Sequence, residues 1–201
     1  MKQLILASQS PRRSEILKNA GFQFVSFPVH VSEIPNKNLI LDEQIIDIAR
    51  RKAKACEILA LAQGLDGVVL SADTMVCLGS ETLGKPENEQ IAFEYLTKLS
   101  GKSHQVKTAV YLIDLNTKDE VSHLETTDVF FRELSEKEIL NYIATKEPAD
   151  KAGAYAIQGE GRQFVQKYVG DFDNVVGLPL QALQKLFKLK AWNFLKLQPE
   201  P

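Results

Sequence analysis

Chemistry-bearing residues gather first between positions 8 and 13, where Ser8, Gln9, Ser10 and Pro11 lead into Arg12 and Arg13. Ser10 is a natural N-cap and Pro11 suits the first position of a helix. That places Arg12 and Arg13 in the first turn, at the positive end of the helix dipole, where acids are the favourable choice. An anion held there would offset the cost. Backbone N–H groups, two hydroxyls and two guanidiniums at one helix start describe a phosphate site. The plainer alternative is a solvated basic turn.

Other groups could work with such a site. Asp73 follows a buried apolar run, at the strand end where α/β sheets place ligands, and could hold a divalent metal or polarise a water. It could equally cap a turn. Glu33 is an isolated loop carboxylate, which by itself reads as surface charge. Lys85, between Gly84 and Pro86, could present a point charge to a phosphate. His30, His104 and His123 form no H-E-x-x-H motif, and the serines lack a G-x-S-x-G elbow. Walker A and G-x-G-x-x-G loops are also missing. Covalent serine catalysis, zinc hydrolysis and P-loop chemistry are therefore disfavoured. The remaining set suits metal-assisted attack of water on a phosphoanhydride. Residues 150–161 are rich in Gly and Ala, which suits close backbone approach to a flat ligand. Gln158 could offer donors and acceptors to a base edge there. A packed turn explains the same composition.

The elements that must position these groups read from periodicity. Residues 4–7 form a short buried strand, and the helix after Ser10 ends at Gly21. Residues 22–25 form a second strand, and 29–38 a loop carrying Glu33. Asp42 can cap a helix to about residue 62, whose Arg50, Arg51, Lys52 and Lys54 read as a solvated face. Residues 67–72 are a strand buried on both faces, ending at Asp73 and Thr74. Asn88 caps a helix stopped by Gly101. Residues 105–115 and 121–133 read as an antiparallel pair. Ser135 and Glu138 form a capping box. Phe164 and Val165 begin a short strand, and a last amphipathic helix carries Leu180, Leu183 and Leu186. The tail from Trp192 reads as frayed. This mixture of βα units and a hairpin points to an α/β fold with a mixed sheet bent around a cleft. The expected organisation is one domain over residues 1–190 and a tail over 191–201.

The 201 residues are 44% apolar and 25% charged, as in an ordinary soluble protein. The net charge of −2 gives no global reason to expect nucleic acid or an anionic membrane as partner. No apolar run is long enough to span a bilayer, and the N-terminus lacks a signal peptide. Cys56 and Cys77 lack metal-ligand spacing and suggest no disulfide framework, so a cytoplasmic location is the default.

Taken in order, Ser8-Gln9-Ser10-Pro11-Arg12-Arg13, Ala72-Asp73-Thr74, Gly84-Lys85-Pro86, Ser100-Gly101-Lys102-Ser103-His104, residues 150–159 and Asn174-Val175-Val176-Gly177-Leu178-Pro179 resemble the Maf family of nucleoside triphosphate pyrophosphatases. The resemblance spans residues 4–180. It implies a central mixed sheet flanked by helices with a deep substrate cleft, similar to the inosine triphosphatases, and it admits a homodimer. The implied reaction takes a nucleoside triphosphate to its monophosphate and pyrophosphate with a divalent cation such as Mg²⁺, Mn²⁺ or Co²⁺. The family's general base falls on Asp73. Ser10, Arg13 and Lys85 match phosphate-holding positions, with Ser8 beside them, and Glu33 matches a carboxylate near the metal and the base. The specificity positions fall on Arg12, Thr74 and Gln158, and the Arg12-Arg13 pair and the Ile157-Gln158-Gly159 triplet look like the branch acting on dTTP and UTP. The sister branch prefers 7-methyl-GTP. Family members are associated with inhibition of septum formation, so the competing class is a nucleotide-sensing regulator of cell division. An RNA-binding module is a weaker competitor, since no basic, aromatic-studded strand face is present.

Overall fold

The computed structural model describes residues 1–196, and the last part of the expected tail lies outside them. Seven strands form one mixed sheet. In chain order they are β1 (Leu4–Leu6), β2 (Phe24–Ser26), β3 (Val68–Leu78), β4 (Glu81–Leu83), β5 (Ser103–Asp114), β6 (Glu120–Phe131) and β7 (Val165–Val169). Their order across the sheet is β2-β1-β3-β5-β6-β7, with β4 paired to β3. β1 pairs in parallel with both β2 and β3, whereas β3–β4 and β6–β7 are antiparallel. The helices are α1 (Pro11–Asn19), α2 (Leu41–Ala62), α3 (Glu89–Leu99), α4 (Glu136–Ala144), α5 (Phe172–Val176) and α6 (Leu180–Leu189). None is long and apolar enough to cross a membrane among the described residues.

The chain divides into two compact units. Unit 1 holds residues 1–73, 108–125 and 177–196; unit 2 holds 74–107 and 126–176. The strands β3, β5 and β6 run from one unit into the other. The core of unit 1 joins Ile5 and Ala7, Ala53, Cys56 and Ala60 of α2, Val69 of β3, and Ile113 and Leu115. Cys56 lies within this apolar set, and burial pushes its thiol up to about 11, so it is inert. In unit 2, α3 packs on α4, and Phe131, Tyr142, Tyr155 and Phe164 form an edge-on aromatic cluster.

Elements with local start and stop signals fall where they are expected. Asn88 Oδ1 accepts from the Ile91 N–H at 2.9 Å, and Gly101 turns the chain after α3 with a φ of 67°. The Ser135–Glu138 capping box closes in both directions, at 2.9 and 3.4 Å. Four expectations shift. Ser10 is the N-cap of α1, but its side chain accepts no bond from the helix. The helix α2 starts at Leu41 with Ile40 as N-cap, because Glu43 reaches back to the Ile40 N–H at 3.4 Å; Asp42 lies in the first turn. Phe22 closes α1 through Leu17 O at 2.9 Å, so β2 starts only at Phe24, where it meets Leu4. Finally, the start of the tail is packed. Trp192 and Phe194 are buried, Phe194 bridges to Lys2, and its ring lies 4.5 Å from that of Phe187.

Candidate active site

The first site residues are set by the β1–α1 junction. Ser8 is buried, and its hydroxyl accepts from the Ser10 N–H at 3.2 Å and from Arg13 Nη1 at 3.1 Å. Arg13 also donates through Nε to the Gly177 carbonyl at 2.8 Å. With two of its edges fixed, the guanidinium is oriented before any ligand arrives. Burial lowers its hold on its proton, Asp73 raises it, Arg12 lowers it and Glu33 raises it, and the net direction is downward. Asp73 and Glu33 are thus near enough to act on Arg13 electrostatically. No acid occupies the first turn of α1.

Asp73 does not end its strand. β3 continues through it to Leu78: on one edge, pairing with β1 stops at Leu70 and pairing with β4 begins at Val76, while β5 is the neighbour on the other side. Asp73 thus lies just past the end of the segment that pairs in parallel with β1. The Ser71 hydroxyl, two residues earlier, donates to the Ala49 carbonyl of α2 at 2.6 Å. Two steps along the strand and three along the helix, Asp73 meets Lys52. Lys52 Nζ donates to Asp73 Oδ1 at 2.7 Å and lies 2.7 Å from Glu33 Oε1. The Lys52 and Asp73 side chains are 11% and 10% exposed, whereas that of Glu33 is 50% exposed. Unit 1 therefore gathers Ser8, Arg12, Arg13, Glu33, Lys52 and Asp73, three cations with two carboxylates. Ser10 stands at the helix start beside them.

The remaining expected residues belong to unit 2. Thr74 follows Asp73 on β3 and is half-buried, and Lys85 is exposed in a turn whose Gly84 carbonyl accepts from the Gly153 N–H at 3.0 Å. Gln158 is exposed at the tip of the Gly- and Ala-rich segment. That segment is fastened from below. Glu147 accepts from the Glu160 N–H at 3.0 Å, the Gly161 N–H at 3.2 Å and the Tyr142 hydroxyl at 2.8 Å. Tyr142 in turn accepts from the Ala156 N–H at 3.1 Å. Burial alone would raise the Glu147 carboxyl, but these donors outweigh it and hold it below the usual range. Burial and the Glu147 charge push the Tyr142 phenol up. A Cβ on Gly161 would come within 2.6 Å of the Ala156 carbonyl, so the tight turn admits only glycine.

The sequence model of the Maf-like protein family matches residues 3–189. The chain belongs to this family. It is 53% identical to a protein of Bdellovibrio bacteriovorus named dTTP/UTP pyrophosphatase, over 91% of this chain and 96% of that one. Proteins of the same name from Caldicellulosiruptor bescii and Bacillus velezensis are 42% and 46% identical, over 98% and 93% of this chain and 98% and 96% of theirs. A solved nucleoside-triphosphatase / dITP/XTP pyrophosphatase from Mycobacterium abscessus aligns over 94% of this chain and 95% of its own, at 12% identity and a TM-score of 0.40. That likeness is too slight to build on.

Within this Maf-like chain, three contributors escape a motif-based reading. Lys52 is buried and paired with Asp73 and Glu33, and does not belong to a solvated helix face. The signal was available: Ile45, Ile48, Ala49, Lys52 and Cys56 follow one helical stripe, and all are buried. Gly177 acts through its carbonyl, which no residue type advertises. Glu147 acts on backbone N–H groups up to fourteen residues away.

Proposed function

We propose that this protein hydrolyses dTTP and UTP to the monophosphate and pyrophosphate. What carries the reading is the convergence of Asp73 and Glu33 on Lys52, beside Arg13, in a Maf-like chain whose relatives bear that name. Arg12 and Arg13 neutralise the triphosphate, the preorganised electrostatic contribution that dominates such reactions. Asp73 takes a proton from water, the water oxygen bonds to the α-phosphorus, and the bond to the β-phosphate oxygen breaks as pyrophosphate leaves. Ser8 and Ser10 contribute hydroxyls at the helix start. Lys85 adds a phosphate contact, and Thr74 and Gln158, with Arg12, choose the base.

A divalent cation fits the donor set. Two carboxylate oxygens already converge within 2.7 Å of one ammonium nitrogen, and hard oxygen donors suit Mg²⁺ or Mn²⁺. Glu33 and Asp73 would hold it. No group of three His, Cys, Asp or Glu capable of holding a metal occurs among the described residues, so phosphate and water oxygens would complete the shell. When bound, the ion supplies charge neutralisation and a more acidic water.

The test is pyrophosphate release from canonical and modified nucleoside triphosphates with Mg²⁺, Mn²⁺ or Co²⁺ and with EDTA. Metal-dependent release favouring dTTP and UTP is expected. Release mainly from 7-methyl-GTP would keep the chemistry and overturn the roles of Arg12 and Gln158. Nucleotide binding without release under any metal would move the protein to the sensor class.

A further inference from the structure

Glu33 lies in a loop, residues 27–40, that has no helix or strand of its own. Phe27 and Val29 pack its start against the unit 1 core, but beside Glu33 apolar burial gives little hold: the neighbouring Ile34 is 76% exposed. Yet the Glu33 carboxylate reaches Lys52 at 2.7 Å. The residue before Lys52 supplies the missing restraint. Arg51 donates through Nη1 to the Ser32 carbonyl and through Nη2 to the Ile34 carbonyl at 3.0 Å, the two carbonyls that flank Glu33. Its Nε donates to Asp47 Oδ2 at 3.0 Å, four residues earlier on α2. Asp47 also accepts from Arg50 at 2.6 Å, the main reason that its carboxyl is held below its ordinary value.

We propose that Arg51 is a positioning residue, a staple that grips the backbone on both sides of Glu33 and delivers its carboxylate to Lys52 and the reacting groups. The inference rests on Glu33 being a working carboxylate, as the functional reading has it. Three roughly coplanar N–H directions are needed, two toward carbonyls and one toward Asp47. A guanidinium offers that fork, and an ammonium on a flexible stem does not. Consecutive residues of one helix thus divide the work: Arg51 holds the loop backbone and Lys52 meets the side chain.

The experiment pairs kinetics with substrate-free hydrogen exchange on the full chain. The variants are Arg51→Gln, Arg51→Lys, Glu33→Gln, the double variant R51Q/E33Q, and Arg50→Gln as control. Arg51→Gln is expected to lower kcat for dTTP with Mg²⁺ about 10-fold or more, the usual loss when an outer-shell partner is removed. Amides of residues 29–38 should exchange faster while those of β1 do not. Arg51→Lys should not rescue either effect, and Arg50→Gln should match wild type in both. In the Glu33→Gln background, loss of Arg51 should add little, since its action runs through Glu33. Full additivity, rescue by lysine, or unchanged exchange in R51Q would each overturn the staple. If the wild type itself releases no pyrophosphate, the functional reading fails, and exchange over residues 29–38 alone decides whether Arg51 holds the loop.

Discussion

The charged cluster of unit 1 and the Gln158 loop of unit 2 are built on opposite plans. The cluster draws on Ser8, Arg13, Glu33, Lys52, Asp73 and Gly177, residues scattered along the chain and joined mainly through side-chain contacts. Apart from Glu33, its members sit on or beside regular elements, and its ionic partners are largely shielded from water, where charge interactions are strongest. The loop is nearly contiguous. It is fastened through backbone N–H groups to Glu147 and Tyr142, and it leaves the Gln158 side chain exposed. Reaction chemistry needs charges fixed in a low dielectric, whereas recognition needs a shaped backbone that presents an amide. Damage to the first should appear in kcat, and damage to the second in KM.

The largest effect should come from Asp73→Asn. The amide keeps the shape and can still accept from Lys52, but it cannot take up a proton. Turnover should fall about 10²–10⁴-fold, the usual contribution of a positioned base, with the melting temperature near that of wild type. Near-normal turnover would remove Asp73 from the base role. Lys52→Met separates activity from stability differently. It deletes the ammonium between two carboxylates and leaves the Asp73 charge 10% exposed without that partner. Urea unfolding should show a loss of about 3 kcal/mol together with lost turnover. If Lys52→Met were as stable as wild type, the cluster would be no more integrated than a surface ion pair.

What could be read in the sequence follows the same divide. The caps at Asn88 and Ser135, the turn before Asp119 and the hairpin of β5 and β6 depend on neighbours within a few residues, and all are present. The helix start at Ser10 and Pro11 was legible for the same reason, although Ser8 and not Ser10 provides the accepting hydroxyl. The continuation of β3 was not legible. Asp73 and Thr74 are polar and resemble a strand end, and only non-local pairing, with β5 alongside and β4 further on, carries the strand past them. The stripe of α2 could mark Lys52 as buried, but its partners were hidden, because one is 21 residues away and the other sits in an irregular loop. The packing of Phe194 depends on Phe22 and Phe187, which a local reading cannot bring together.

Acid should act on the two regions unequally, because unit 2 buries a neutral base without a counter-charge. His104 Nε2 lies 2.8 Å from the Tyr155 hydroxyl, and its ring stands edge-on to Phe131 and Tyr155. Burial lowers its pKa to about 4 from an ordinary 6.5. The imidazole is neutral when folded, and on unfolding between those values it takes up a proton. Its effect on stability is therefore nil above about pH 6.5. Stability is lost as pH falls toward about 4, and no more is lost below that. The gap corresponds to about 3 kcal/mol as an order of magnitude. Unfolding measured at pH 7 and pH 4.5 should show the drop in wild type and a flatter profile in His104→Gln, which keeps a partner for Tyr155 but does not titrate. Equal slopes in the two proteins would assign the acid sensitivity elsewhere.

Gly159→Ala gives the smallest effect and the finest separation of recognition from chemistry. Gly159 has a φ of 120°, a conformation that L side chains rarely adopt, and a Cβ there would lie 2.6 Å from Glu147 Oε2. The substitution must therefore displace the carboxylate that fastens the Glu160 and Gly161 N–H groups, or shift the loop itself. Strain of this kind costs about 1–3 kcal/mol. If about half of it is felt as misplacement of Gln158, the KM for dTTP should rise about two- to tenfold. The unit 1 charges are untouched, so kcat should stay within about threefold of wild type. Steady-state kinetics on dTTP and UTP, with the melting temperature as a check on folding, would decide it. A fall in kcat matching the rise in KM would mean that the loop also shapes the transition state, and the two plans would then serve one task.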